Sequence, residues 1–168
     1  VLALAALAGA PAVPERWLGL RSAGVAALAG LVTLVGLYNA RKPPRVKTVD
    51  VPLKDLPPAL DGFRIAQISD MHIGPTIKGP FLRSVVDVVN AMGADLVAVT
   101  GDLVDGSVAE LGGHTAVLAE LKARHGAWFV TGNHEYYSGV HEWVDELRRI
   151  GLTVLIDEHR VLEHDGHR

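Results

Sequence analysis

The chain opens on a long apolar block and then changes to short alternating segments. Residues 1–40 are almost all apolar or small. Residues 1–13, VLALAALAGAPAV, read as the tail of a hydrophobic helix, broken by the PERW that follows. Residues 17–40 form a second apolar run, long enough to cross a bilayer, which takes about 20 apolar residues. Trp17 and Tyr38 stand near its ends, where interfacial aromatics collect, and Arg21 lies one turn inside and can extend outward. A signal peptide and a buried core helix are the competing readings. The apolar run that already precedes this one, and the lack of a small-residue cleavage pattern, favour a membrane span.

From residue 46 the pattern is that of a soluble domain. Residues 46–53 alternate like a strand, and 56–62 read as a turn. Residues 63–69, 95–100 and 127–131 are predicted strands, the last two continuously apolar, as strands covered on both faces tend to be. Phe81, Val85, Val88, Val89 and Met92 fall on one face of a predicted helix. Val140, Trp143, Val144 and Leu147 do the same, with Glu142, Asp145, Arg148 and Arg149 opposite. A shorter helix is predicted over 113–124, and residues 152–156 and 160–168 read as further strands. Strand–helix–strand alternation at about 30 residues predicts an α/β layered domain. The expected layout is a membrane anchor over 1–40 with its first helix cut, a basic linker and leading strand over 41–60, and the domain proper over 61–168.

Composition sharpens this picture in few places. The 168 residues suffice for one domain plus something smaller. The chain starts at Val1 and stops two residues after a DG turn signal, so it is expected to be a fragment. A net charge of −3 lacks the basic footprint of nucleic-acid binding, and no nucleic-acid partner is expected. The absence of cysteine excludes disulfides and thiolate metal sites, leaving eight histidines and the aspartates as candidate metal ligands. The stretch RKPPRVK, 41–47, carries four Lys/Arg, against Arg16 and Arg21 on the other side of the apolar run. The positive-inside rule then places the C-terminal part in the cytoplasm.

The candidate chemistry lies where the strands end. The first runs into SDMHIG with Asp70 and His72, the second into TGDLVDG with Asp102, the third into TGNHEYY with Asn133 and His134. Parallel strands carry functional residues at their carboxyl ends, so three βα turns bring two carboxylates, an amide and two imidazoles to one edge. Asp and His suit borderline divalent metals, and Asn adds a neutral oxygen. Two carboxylates in close quarters repel each other without cations, which makes a metal pair the economical explanation. Gly101 and Gly132 leave room for a metal or a phosphate to approach the backbone.

These motifs, Asp70-Met71-His72, Gly101-Asp102 and Gly132-Asn133-His134-Glu135, resemble those of the calcineurin-like metallophosphoesterases. With hydrophobic spans in front, the chain is similar to the membrane-anchored bacterial branch of that superfamily. The resemblance covers about residues 60–168. It implies an αββα sandwich, present here in part, and two divalent ions, with Mn, Fe, Zn and Mg all suited to the ligand types. Asp70 and His72 would hold one ion, Asp102 would bridge both and Asn133 would hold the other. A metal-bound hydroxide would attack phosphorus in line. His134 would be the acid for the leaving oxygen, or a charge stabiliser, rather than a ligand. Glu135, Tyr136 and Tyr137 either face the substrate or pack.

The chain departs from the family pattern in lacking the later lone His and the Gly-His-x-His. His114 reads as a helix-start residue, and His164 and His167 as exposed residues at a hairpin tip. His125, His141 and His159 read as surface residues. Asp105 reads as a support to the site or a plain turn residue. The expected substrate is a phosphoester, with the anchor favouring a lipid-linked or nucleotide-linked one at a bacterial inner or plasma membrane. The alternatives are a metal-free calcineurin-like scaffold and a membrane protein that merely binds phospholipid. Without the later histidines, residues 46–168 alone are expected to bind metal weakly and to be inactive.

Overall fold

The computed structural model describes residues 15–42 and 45–167. The chain divides into two compact units, Val1–Lys42 and Pro43–Arg168. The first contains helix α1, Glu15–Ala40. Its segment Gly19–Ala40, 22 residues, is long and apolar enough to cross a membrane. At about 1.5 Å per residue it spans roughly 33 Å, close to the hydrocarbon thickness of a bilayer. Leu20, Val25, Leu28, Leu31 and Val35 are all exposed along it. The Lys42 ammonium sits 4.3 Å above the Tyr38 ring, a cation–π contact at the helix end. The predicted first apolar helix, 1–13, lies outside the described residues.

The second unit is a mixed α/β domain on one four-stranded sheet, in agreement with the class read from the sequence. Its elements are β1 Ile65–Ile68, α2 Gly79–Ala91, β2 Leu96–Thr100, α3 Val108–Thr115, β3 Ala127–Val130, α4 Asn133–Ser138, α5 Val140–Arg149 and β4 Thr153–Leu155. The sheet order is β1-β2-β3-β4 and every pair is parallel. Ala66 pairs with Val97 and Val97 with Ala127, while Ile68, Val99, Phe129 and Val154 form the next row. Both rows are buried, so they line one face. That face joins Leu82, Val85, Val86 and Val89 of α2, Leu111 of α3, and Trp143, Val144 and Leu147 of α5 in one core. The helical faces read from the sequence thus hold at Val85, Val89, Trp143, Val144 and Leu147.

The opposite face corrects one expectation. The apolar runs of β2 and β3 predicted cover on both sides, yet Leu96, Ala98 and Trp128 are only half-buried on that face and Val130 is 39% exposed. The cause is topological. Right-handed crossovers that always step in the same direction lay all their helices on one side of the sheet.

Three further expectations change. Residues 46–53 form no strand, because their alternation meets no partner strand among the described residues and they stay exposed. The helix expected over 113–124 starts at Val108 and tightens into a 3₁₀ turn over Ala116–Glu120. Its start is set by Ser107, whose N–H and hydroxyl both bond the Glu110 carboxylate, at 3.1 and 2.8 Å. That S-x-x-E capping box was readable and outranks the apolar spacing that follows it. His114 therefore sits in the last turn of α3, not at a helix start. At the chain's end, residues 160–167 make no full hairpin. Only the tip closes, with Asp165 and Gly166 at positive φ and two His164–His167 backbone hydrogen bonds of 2.9 and 3.0 Å.

Candidate metal centre

The β1–β2 pairing does not stop at the strand ends. The Asp70 N–H donates to the Gly101 carbonyl at 3.3 Å, that of His72 to Asp102 at 3.0 Å, and that of Ile73 to Leu103 at 2.8 Å. Ile73 then bridges Val104, and Ile73, Leu103 and Val104 are fully buried. The two turns are thus pinned below by an apolar anchor, and the residues between strand and anchor arch outward. Asp70, His72 and Asp102 all take left-handed φ, 55°, 44° and 50°. Such backbone costs a non-glycine residue of order 1 kcal/mol or more. Three of the six non-glycine residues with positive φ among the described residues thus fall on these two adjacent turns.

The third turn closes on the second. Gly101 has φ 81°, and a Cβ there would lie 2.4 Å from the Gly132 nitrogen; a Cβ on Gly132 would lie 2.1 Å from Asp102 Oδ1. Both glycines are required because the Asp102 carboxylate and the β3 turn occupy the space a side chain would fill. Asp102 Oδ1 in turn accepts the His134 N–H at 3.1 Å.

Beneath this contact lies Glu135, fully buried. Its carboxylate accepts the backbone N–H groups of Asp102 (3.0 Å), Leu103 (2.7 Å), Val104 (3.3 Å) and Gly132 (2.7 Å). One side chain on α4 therefore ties the β2 turn to the β3 turn. The expectation that Glu135 contacts substrate is corrected: its oxygens are taken up by the backbone and turned into the protein. The alternative left open, that it packs, is the one the fold uses.

Above the clamp, His72, Asp102 and His134 bring ligand atoms within 4.8 Å of one another. The two imidazoles stand edge to face with centroids 4.4 Å apart. Each bonds Asp105 Oδ1 through Nδ1, at 3.0 Å for His72 and 2.6 Å for His134. Partial burial pushes the Asp105 carboxyl up, but the hydrogen bonds from both histidines outweigh it and hold it below the ordinary range. The same bond, against a smaller opposing effect of burial, raises His72. With Asp105 ionised, each Nδ1 donates and each Nε2 stays available, the arrangement by which a carboxylate orients a metal-binding histidine. Asp105 is thus a support to the site and not a plain turn residue, and its signal was the three-residue spacing from Asp102 in GDLVD.

Of the other predicted ligands, Asp70 falls outside the group that His72, Asp102 and His134 form. Asp70 is exposed at the end of β1, its Oδ2 2.5 Å from the Ser69 hydroxyl. Asn133 is exposed at the start of α4. Tyr136, 60% exposed, lines a cavity of about 480 Å³ with Val130, Thr131 and residues 155–159. His114, His125, His164 and His167 take no part. His164 is buried rather than exposed, because the hairpin tip docks it on Phe63 and His125.

The donor set fits a divalent cation. Aspartates 70, 102 and 105 surround two oriented imidazoles, and such a concentration of carboxylates is relieved by positive charge.

Residues 63–167 match the family model described as calcineurin-like phosphoesterase. A Bos taurus protein named transmembrane protein with metallophosphoesterase domain is 38% identical over 155 residues, covering 91% of this chain and 35% of its own length. A Danio rerio protein of the same name is 37% identical over 133 residues, covering 79% of this chain and 30% of its own. An uncharacterized metallophosphoesterase of Campylobacter jejuni is 32% identical over 123 residues, covering 73% and 32%. The chain spans about a third of the length of these curated relatives. No solved structure matches it.

Proposed function

The chain belongs to the calcineurin-like phosphoesterases, and on that premise we propose that the protein hydrolyses a phosphoester with two divalent ions held at the carboxyl end of the sheet. The observation that carries this reading is the grouping of His72, Asp102 and His134 over one shared carboxylate, Asp105. In this reading Asp70 and His72 would hold one ion, Asn133 would hold the other and Asp102 would serve both. Bound there, divalent ions would supply positive charge for the phosphoryl oxygens and would lower the pKa of an attacking water. His134 gives a proton to the departing ester oxygen, and Asp105 fixes its ring by the Nδ1 bond. Glu135 holds Asp102 in its strained backbone from below.

The proposed layout is an anchor over 1–40, a basic linker over 41–60 and the first part of the phosphoesterase domain over 61–168. The basic residues 41–47 favour a cytoplasmic domain. A membrane anchor favours a lipid-linked or nucleotide-linked ester by proximity. A metal-free scaffold is the weaker reading, since two imidazoles oriented by one carboxylate beside Asp102 are an arrangement suited to a cation.

The test is hydrolysis of an aryl phosphate by the full-length protein, before and after chelation and with Mn²⁺ restored. Activity lost in chelator and recovered with metal supports the reading; undiminished turnover by the apo protein overturns it.

A further inference from the structure

Beside the metal centre lies a second cavity, of about 430 Å³, lined by Asp105, Gly106, Ser107, His134, Tyr137 and Ser138. Unlike the cavity under Tyr136, it shares two residues with the centre itself, so a group attached to a phosphate held there has direct access to it. Three features describe what it accepts. Its most prominent wall is Tyr137, 80% exposed, whose ring meets the His134 imidazole edge to face at 5.8 Å and leaves most of its surface open. Three polar groups of the wall are already occupied within the protein. Ser107 Oγ bonds Glu110, Ser138 Oγ donates to the Val104 carbonyl at 3.3 Å, and the Gly106 carbonyl accepts the Trp143 indole N–H at 2.9 Å. The lining holds no Lys or Arg, and the Asp105 carboxylate in it is bonded to the His134 imidazole.

We infer that this cavity is the subsite for the ester substituent, and that it selects an uncharged, planar aromatic group that stacks on Tyr137. A further phosphate in it would meet the Asp105 carboxylate with no Lys or Arg in the lining to offset the repulsion. A flat apolar ring instead covers the open face of Tyr137 and needs no new polar partner. This rests on the phosphoesterase reading, and it names a substrate class for the same site.

The probe is a pair of non-hydrolysable anions, phenylphosphonate and methylphosphonate, titrated by calorimetry into the full-length, Mn²⁺-loaded protein. Phenylphosphonate binds up to about tenfold more tightly, the scale of one aromatic contact. Tyr137→Ala removes that preference and Tyr137→Phe keeps it. Aryl over alkyl phosphoester selectivity in kcat/KM narrows in parallel in Tyr137→Ala. Equal Kd values for the two phosphonates, or a preference that survives Tyr137→Ala, overturn the subsite. Phosphonates that bind with the predicted preference to a protein without turnover overturn the phosphoesterase reading and leave the subsite standing. Failure of both to bind overturns the two together.

Discussion

At the carboxyl end of the sheet the rings of His72 and His134 stand 4.4 Å apart; at the amino end those of His125 and His164 stand 5.2 Å apart. The upper pair does not bond to itself. Each ring gives its Nδ1 to Asp105 and keeps its other nitrogen. The lower pair bonds ring to ring, His125 Nε2 to His164 Nδ1 at 2.9 Å, and both rings lie against Phe63. Its neighbours, Arg124 and Asp165, neutralise each other in a two-point ion pair, with Arg124 also 3.4 Å from His164. The upper end concentrates acidic residues on strained backbone; the lower end balances its charges. Two adjacent histidines therefore do not make a site. An excess of carboxylate and a third residue that orients both rings separate a centre poised for a cation from a packing contact.

The sharpest way to break this comparison is at Asp102. In the proposed reading Asp102→Asn removes the charge shared by both ions, and it is expected to lower aryl phosphate hydrolysis by about 10³-fold or more, several kcal/mol of transition-state stabilisation. Steady-state kinetics on the Mn²⁺-loaded protein reads this, and activity within tenfold of the parent would refute the shared role.

The next test splits ligand from acid inside the upper pair. His134→Ala is expected to lower kcat by roughly 10²–10⁴-fold while metal content, read by elemental analysis, holds. Asn133→Ala is expected to lose occupancy of one ion. Equal metal loss in both variants would make His134 a ligand and not the acid.

Glu135 tests the support below. Glu135→Ala leaves four backbone N–H groups without their acceptor, those of Leu103 and Val104 fully buried, and the expected loss is about 3 kcal/mol of stability. Thermal unfolding reads it. An unchanged Tm would mean that the backbone finds other partners and that the clamp does not hold the two turns.

The smallest effect belongs to the lower pair. His164→Ala is expected to cost about 1 kcal/mol of stability and to leave hydrolysis within about twofold. A large loss of activity would join the two ends of the sheet functionally. The nearby ion pair has a defined pH window. The hydrogen bond from Arg124 holds Asp165 below the ordinary range. Its contribution is therefore present above about pH 4 and fades as pH falls through the folded value. In Arg124→Ala, acid unfolding should lose that component, and an unchanged acid limb would assign the pair no role in stability.

Much of the fold could be read from short-range pattern. The strand cores 65–68, 96–100 and 127–130 are apolar runs bounded by Gly and Asp, and the spacing of Trp143, Val144 and Leu147 marks a helix whatever surrounds it. The residue types at the strand ends could be read too, because parallel strands deliver their carboxyl-terminal turns to one edge. Side-chain direction was another matter. Asn133, His134 and Glu135 are consecutive, yet Glu135 points inward, because its partners at 102–104 are some 30 residues away and become a nest of N–H groups only when β2 and β3 lie side by side. Asp105 became the common acceptor of two rings for the same reason: His72 and His134 are 62 positions apart in the chain and 4.4 Å apart in the fold. The burial of His164 waited on Phe63, a hundred residues upstream. The open face of the sheet waited on the strand order, since an apolar run reads alike whether a helix covers it or not. Local sequence determines backbone state and the chemical type at each turn. Which groups meet depends on contacts between distant segments, and only packing brings those into being.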